Sequence, residues 1–457
     1  MAHEHFIIST LNLPDNRIKD IQVLKINGVF HFKITLTKEN TPCPFCGGKT
    51  SIKEYKLRSY HHLPFAGIPS VIDWNRRRFI CKDCGKTFSE SNPFGPENFL
   101  QSYAVLDSIA KALHNIHATY KDIADQFHVS IPLVQLYADS FLIAPRFSLP
   151  VNLGIDEIHS SMAKYGGSYL CVFVDNEKRV LNDILPDRSK RTLSRYLDSI
   201  PKTERDRVLF VTLDMGEPYR DIAHRYFKNA EVAVDPFHVI EHLTLAFTRI
   251  RVDIMNQSAY PSPAYYLLKK WHKLLESDSY NLDNDPRYNP FFKQKLNYRD
   301  LYNMLLTLNP SLTQAYELKE EYRLFNQSCS FDDAPHHLDE IILHFEQANL
   351  YCYTEFVSLL KHWRIEIIHS FHRPYENRRQ SNALAESLNE KIRELLVVSH
   401  GFSNFERFRA RALYCLNPAL FYSLTPLLSS RRQEGKKHGH YRKKNSSLPT
   451  DDFSNPQ

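Results

Sequence analysis

No stretch of the chain approaches the roughly eighteen uninterrupted apolar residues that a membrane-spanning helix requires, so no membrane partner is expected. The opening Met1-Ala2-His3-Glu4-His5 lacks the basic start and apolar core of a secretory signal, and a cytoplasmic location is expected. Cysteine is scarce as well. Eight in 457 residues cannot frame a disulfide-stapled fold, and Cys171, Cys329, Cys352 and Cys415 read as scattered small core residues. A strong charge of one sign is also missing: +6 over this length only fails to repel polyanions, so the placement of the basic residues matters more than their number.

What is present points to several domains. A chain of 457 residues with 42% apolar content exceeds one ordinary core and can build two to four. The remaining cysteines form two knuckles, Cys43-Pro44-Phe45-Cys46-Gly47-Gly48 and Cys81-Lys82-Asp83-Cys84-Gly85. In each, two thiolates three apart are followed by glycine, where the tight turn calls for positive φ. Together they make a four-thiolate structural zinc site, with ribbon strands expected over Ile52–His61 and Val71–Ile80 and a zinc-ribbon domain over 1–100. Arg76, Arg77 and Arg78, with Lys82 and Lys86, give this ribbon a basic edge suited to DNA phosphates. Residues 101–147 read as short helices, the second capped by Thr119 and the third by Ser130 with Pro132 in its first turn. That arrangement fits a helix-turn-helix DNA-binding domain, although a plain helical linker has the same pattern.

The run Val151-Asn152-Leu153-Gly154-Ile155-Asp156 alternates like a strand covered on both faces and ends on a carboxylate. Val208–Leu213 repeats the device and stops at Asp214. With strands over Tyr169–Asp175, Arg179–Leu185 and Glu231–Val234, and helices over Ser189–Ser199 and Pro218–Phe227, the region 148–255 reads as an α/β layer fold, a mixed sheet with helices on its faces. A helix follows Asp235-Pro236-Phe237-His238. Residues 256–370 show helical spacing and no strand run, hence an all-helical insertion in which Trp271 and Trp363 read as core. The sheet domain resumes over 371–428 with two helices, one bearing Glu386 among the apolar positions Leu384, Leu388, Ile392 and Leu395, the other carrying Arg407, Arg409 and Arg411. The segment 429–457, basic among Gly, Ser, Asn and Pro, reads as a disordered tail.

Two strand-end aspartates followed by a helical glutamate are the order of carboxylates expected in a ribonuclease-H-like nucleotidyl transferase. Asp156, Asp214 and Glu386 are therefore the candidate ligands of Mg2+ or Mn2+, since hard cations take oxygen donors and keep several waters. Two such ions about 4 Å apart can run phosphodiester chemistry without a protein nucleophile. Among competing acids, Glu157 alternates to the other face of its strand, Asp175 sits where a turn aspartate is common, and Glu390 is the main rival of Glu386. Asp235, His238 and Asn382 are candidates for holding the metal ligands in place; a helix cap and a DNA contact remain open for Asp235 and His238. Lys391, Arg393 and Arg407 flank the glutamate as candidate DNA contacts.

The paired knuckles, Gly154-Ile155-Asp156-Glu157, Thr212-Leu213-Asp214-Met215 with Pro218-Tyr219, Asp235-Pro236-Phe237-His238-Val239-Ile240, and the stretch Asn382 to Asn389 together resemble the ISL3 family of bacterial insertion-sequence transposases. The resemblance covers nearly the whole chain. It implies a ribonuclease-H-like Asp-Asp-Glu domain interrupted by a helical insertion, with Asp156, Asp214 and Glu386 as its triad. It also implies binding of double-stranded DNA at terminal inverted repeats and target, cut-and-paste transposition, and a homodimer on DNA in a nucleoid-associated setting. Ser387 stands where the family usually has glycine, and Leu395–Gly401 replaces a basic run. Two other readings of the same residues are a zinc-containing DNA-binding regulator without catalysis and a metal-dependent nuclease lacking strand transfer.

Overall fold

The computed structural model describes residues 8, 9, 11, 13 and 17–424, apart from 145, 164–167, 278, 376 and 420. The basic tail expected over 429–457 lies outside the described residues. Contacts divide the chain into two compact units, one drawn from Met1–Ala110, Phe127–Leu142 and the segment from Tyr422, the other from Lys111–Gln126 and Ile143–Phe421.

In the first unit, β1 (Ile18–Ile26) and β2 (Val29–Leu36) pair antiparallel across Asn27-Gly28. Both turn residues have positive φ, the geometry whose twist matches a two-residue hairpin. A long hairpin of β3 (Thr50–Phe65) and β4 (Ile68–Cys81) follows, with β2 parallel to β4 and the short β5 (Thr87–Ser89) pairing β4. The expected ribbon strands are thus present and longer than their apolar cores indicate. The sheet buries Phe32, Ile34, Ile72 and Trp74 on one face, against Phe94. Three helices follow in the chain, α1 (Tyr103–Leu113), most of which is counted with the first unit, α2 (Tyr120–Phe127), counted with the second but for its last residue, and α3 (Ile131–Phe141), counted with the first. Thr119 caps α2, its Oγ1 accepting from Asp122 N at 3.1 Å while Asp122 Oδ2 accepts from Thr119 N at 2.9 Å. Ser130 departs from expectation: it occupies the cap position of α3 but its side chain makes no capping bond, and Pro132 in the first turn removes one of the N–H groups it would have served.

The second unit is built on a five-stranded sheet in the order β10-β9-β6-β7-β8. Strands β6 (Asn152–His159), β7 (Tyr169–Asp175) and β8 (Val180–Leu185) form an antiparallel meander. β9 (Phe210–Leu213) lies parallel to β6, and β10 (Glu231–Val234) parallel to β9. Helix α4 (Lys190–Asp198), capped by Ser189, precedes β9, α5 (Glu217–Tyr226) joins β9 to β10, and α6 (Pro236–Gln257) follows β10. Next come α7 (Pro263–Lys270), a hairpin of β11 (Arg287–Asn289) and β12 (Gln294–Leu296), and α8 (Tyr298–Leu306). Helices α9 (Pro310–Ser328), α10 (Ala334–Ala348), α11 (Thr354–His362), α12 (Arg364–His369), α13 (Ala383–Val398) and α14 (Phe405–Leu416) complete it.

Strand alternation sorts the sheet into two cores. Leu153, Ile155, Cys171 and Phe173 face α4 to α6 and a continuous apolar body that runs through the inserted helices to Phe371. Ile158, Leu170, Val172, Val174, Leu181 and Ile184 face the other way, onto Leu388, Ile392 and Leu395 of α13 and Phe405, Phe408 and Ala412 of α14. Each fully buried aliphatic or aromatic side chain in such a core contributes about 1.5–3 kcal/mol, so α13 is held against β6 and β7 in a fixed register. The insertion is mostly helical, with one correction. Its β11–β12 hairpin falls where no strand run is expected, because three-residue strands show no periodicity. What sets the turn is Asn289, whose Oδ1 accepts from the backbone N–H groups of Phe291 and Phe292. Trp363 is buried as expected, with Arg220 over its ring.

Candidate active site

Asp156 follows Ile155 by one position on β6 and therefore points to the α13 side of the sheet, where it is almost fully buried. Asp214 follows the last residue of β9, the parallel neighbour of β6, so the two carboxyls emerge at the same edge. A buried asparagine from α13 meets each. Asn382, at the start of the helix, donates from Nδ2 to Asp214 Oδ1 and to the carbonyl of Ile155, both at 3.0 Å. Asn389 donates from Nδ2 to Asp156 Oδ2 at 2.8 Å and to the Glu157 carbonyl at 3.2 Å. The other Asp156 oxygen accepts the Glu157 N–H at 2.7 Å. Gly154 is required two residues earlier, because a Cβ there would stand 2.5 Å from Val174 Cγ2.

The electrostatics of this pair are unbalanced. Burial pushes the Asp156 carboxyl up to about 8, and the neighbouring Asp214 charge adds to the rise. Burial would raise Asp214 too, but the hydrogen bond and charge of His238, joined by the Asn382 amide, carry it below its ordinary value. His238 Nε2 lies 2.9 Å from Asp214 Oδ1, and that bond lifts the imidazole to about 9. Asp235 follows the end of β10: burial raises it to about 6, and its Oδ2 has no hydrogen-bond partner among the described residues. Ligand atoms of Asp214, Asp235 and His238 all lie within 4.8 Å of one another.

Glu386 is exposed on the first full turn of α13, four residues after Asn382 and three before Asn389. That spacing puts it on the same side of the helix as the two asparagines, and Glu390, one turn further on, is exposed as well. Its carboxylate is nevertheless outside the group of ligand atoms gathered within 4.8 Å around Asp214. Glu157, on the opposite side of β6, is taken up by Arg188 and by the Tyr219 hydroxyl, 3.1 Å from Oε2. Asp175 accepts the backbone N–H groups of Glu177 and Lys178 as a turn aspartate does. A cleft of about 370 Å³ opens beside Asp214, lined among others by Glu157, Arg188, Tyr219, His238 and His242. Asn389 is the residue that sequence reasoning missed; its signal was the seven-residue spacing from Asn382, two turns along one helical face.

The four knuckle cysteines form a second cluster, in the first unit. Cys43 and Cys84 sulfurs are 3.7 Å apart, and Cys46 and Cys81 sulfurs 3.5 Å. Four sulfurs at about 2.3 Å from a tetrahedral zinc stand about 3.8 Å from one another, so the cluster fits that ion. Gly47 and Gly85 take positive φ, and each returns its N–H to the carbonyl of the first cysteine in its knuckle. The N–H groups of Asp83 and Cys84 point at the Cys81 sulfur, favouring its thiolate.

The basic candidates divide. Arg77 is a correction: it is buried, and its guanidinium is spent on the carbonyls of Leu36 and Thr37 and on Glu90, so no phosphate can reach it. Arg76 pairs with Glu97 and Arg78 with Glu54 at the surface. Lys391 and Arg393 are exposed on α13, and Arg407 is half-buried on α14. Arg409 and Arg411 are structural. The first forks onto buried Asp183, and the second donates to the carbonyls of Leu113, Asn115 and Ala118.

Residues 153–412 match the family model of the ISL3 transposases of Asp-Asp-Glu designation, and residues 39–84 match that of the zinc-finger of transposase IS204/IS1001/IS1096/IS1165. The transposase for insertion sequence element IS1001 of Bordetella parapertussis is 24% identical over 378 residues, which cover 80% of this chain and 86% of that protein. The zinc-finger match and the four-sulfur geometry agree on a structural zinc site. No helix among the described residues is long and apolar enough to cross a membrane.

Proposed function

Because the chain belongs to the ISL3 family of insertion-sequence transposases, we propose that Asp156, Asp214 and Glu386 hold the divalent cations, Mg2+ or Mn2+, on which its DNA chemistry depends. One observation carries this reading: two carboxyls from adjacent parallel strands lie side by side, Asp156 buried and Asp214 half-buried, with His238 as their one ion-pair partner among the described residues. Leaving carboxylates so poorly compensated is costly unless cations complete the site. The donor set fits hard cations, being oxygen-rich and including the unpartnered Asp235 Oδ2. The five-strand order with one antiparallel arm supports a ribonuclease-H-like core.

Bound there, two such ions supply activation of the attacking oxygen and stabilisation of the leaving oxygen. The chain's own residues prepare the site. Asn382 and Asn389 orient the two aspartates through neutral N–H groups, and His238, protonated below about pH 9, steadies Asp214 Oδ1. Glu386 approaches from α13 on the same helical side as both asparagines. Water makes the first cut at the ends of the element, and the freed 3′-hydroxyl attacks the target, a cut-and-paste route. The zinc ribbon, with Arg76 and Arg78, and the helices between 103 and 141 are the proposed readers of the terminal inverted repeats; Lys391, Arg393 and Arg407 are the proposed phosphate contacts near the acids. Joining two ends calls for at least a homodimer on the DNA, in the nucleoid-associated cytoplasm.

The test is Asp156→Asn, which keeps the side-chain volume and removes the charge. Metal-dependent cleavage of a plasmid carrying both ends should vanish while binding of those ends persists. Wild-type cleavage by the variant would overturn the assignment.

A further inference from the structure

The inserted segment holds a second cleft, of about 200 Å³, that the acids do not touch. It lies between α7, the β11–β12 hairpin and α8, and Tyr266, Trp271, Tyr288 and Tyr298 all contribute to its lining. The rings are ordered against one another: Tyr266 stacks on Phe291 at 4.3 Å with planes 6° apart, and Trp271 tilts onto Tyr298 at 5.9 Å. Tyr288 is different, since 64% of it is exposed and no ring covers it among the described residues. Lys270 and Arg287 stand in the same lining. The Lys270 ammonium lies over the Tyr266 and Trp271 rings at 5.5 and 5.6 Å, and neither cation forms an ion pair among the described residues. Two acids of the same segment are already engaged, Asp283 by Arg299 and Glu276 by Arg251.

One polar group in the lining is fixed in orientation. Asn289 is buried, and its Oδ1 accepts from the Tyr266 hydroxyl at 3.2 Å as well as from the turn amides. The amide is thereby locked with Nδ2 as its remaining donor.

An exposed ring beside unpaired cations, with a held amide donor, matches the chemistry of one nucleobase and its phosphate: a π-face to stack on, a charge for the phosphate and a donor for the base edge. We infer that this cleft of the insertion binds an unpaired base of the DNA substrate, with Tyr288 as the stacking surface. The inference rests on the DNA-processing role of the family and is independent of the three acids. It gives the insertion a purpose that a helical spacer lacks, namely capture of a base displaced where the duplex is opened.

The test uses the full-length, zinc-loaded chain and fluorescence anisotropy with two labelled duplexes of the element's end, one fully paired and one with a single unpaired thymine. Stacking of a base on an aromatic side chain is worth about 1–3 kcal/mol, so Tyr288→Ala should weaken the bulged duplex about 5- to 150-fold and leave the paired one unchanged. Tyr288→Phe should retain the wild-type preference. Equal loss on both duplexes, or no loss on either, would overturn the proposal. So would displacement of the bulged duplex by free thymidine monophosphate as effectively as by unlabelled bulged DNA, which would assign the cleft to a soluble nucleotide. Asp156→Asn should show the same preference as wild type, so failure at the acids and failure at this cleft are read separately.

Discussion

Replacing Asn389 with leucine tests the arrangement around Asp156 at its least obvious point. The two side chains share heavy-atom count and branching and the position is buried, so the main change is loss of the Nδ2 donor. Asp156 receives one protein donor on each oxygen, the Glu157 N–H at 2.7 Å and Asn389 Nδ2 at 2.8 Å, so the variant removes half of what holds that carboxylate. A hydrogen bond to a charged group is worth about 1.5–3 kcal/mol. If that energy fixes the carboxylate for cation binding, the concentration of Mg2+ giving half-maximal cleavage should rise about 10- to 150-fold. The assay is cleavage of a plasmid bearing both ends across a Mg2+ titration, with thermal unfolding and end binding measured on the same preparation. A variant that binds the ends, cleaves more slowly and yet shows an unaltered Mg2+ dependence would refute the reasoning, because Asn389 would then be packing rather than positioning.

Two further outcomes concern the first unit. The wild-type chain should carry about one zinc ion, and Cys81→Ser should lose it together with protection of the β3–β4 hairpin from proteolysis; full retention of the metal by atomic absorption would remove the four-thiolate site. The second outcome concerns His62. This residue is buried with its ring between Ser102 Oγ at 2.8 Å and the Leu11 carbonyl at 3.0 Å, and burial lowers it from 6.5 to about 4. A histidine kept neutral by the fold binds fewer protons than it does unfolded. Its contribution is therefore complete above about pH 6.5 and is lost as pH falls towards 4, with about 3 kcal/mol at stake. Urea midpoints at pH 7 and pH 4.5 should diverge more for wild type than for His62→Gln, and equal divergence would contradict it; zinc release is common to both chains and cancels.

The parts of the fold that could be read from the residues are those with one unambiguous period. β7 is recoverable residue for residue because Leu170 to Val174 is apolar on both faces, and α13 because Leu388, Ile392 and Leu395 recur on one stripe. β1 leaves no such trace: its apolar alternation changes phase between Val23 and Leu24, and Ile21 alone along its length is buried. The misreading of Arg77 has a physical cause. Three consecutive arginines look like a solvated run, but on a strand the middle one must face the other way, and it shares a phase with buried Phe79 and Cys81. The inward face there is lined by the Leu36 and Thr37 carbonyls, which a guanidinium can satisfy. At the site, strand ends announce the two aspartates and the stretch around Glu386 brings Asn382 with it, whereas Asn389 lies 233 positions from the carboxylate it meets and only its spacing from Asn382 marks it.

The choice of amides there follows from the charge balance. A lysine or arginine at either position would satisfy Asp156 or Asp214 more strongly than asparagine does, since it would add an opposite charge to the hydrogen bond. It would also cancel the negative potential on which the proposed cation binding relies. The second unit is not short of cations nearby: Arg188 is committed to Glu157, Arg409 to Asp183 and Arg220 to Glu366. Each of those acids is thereby neutralised in place. Among the described residues Asp156, Asp214 and Asp235 are left to share the His238 imidazole, whose charge can be withdrawn by losing a proton, which a guanidinium cannot do. The fold thus satisfies its structural carboxylates with permanent charge and its candidate metal ligands with groups that orient them without filling their need for a cation.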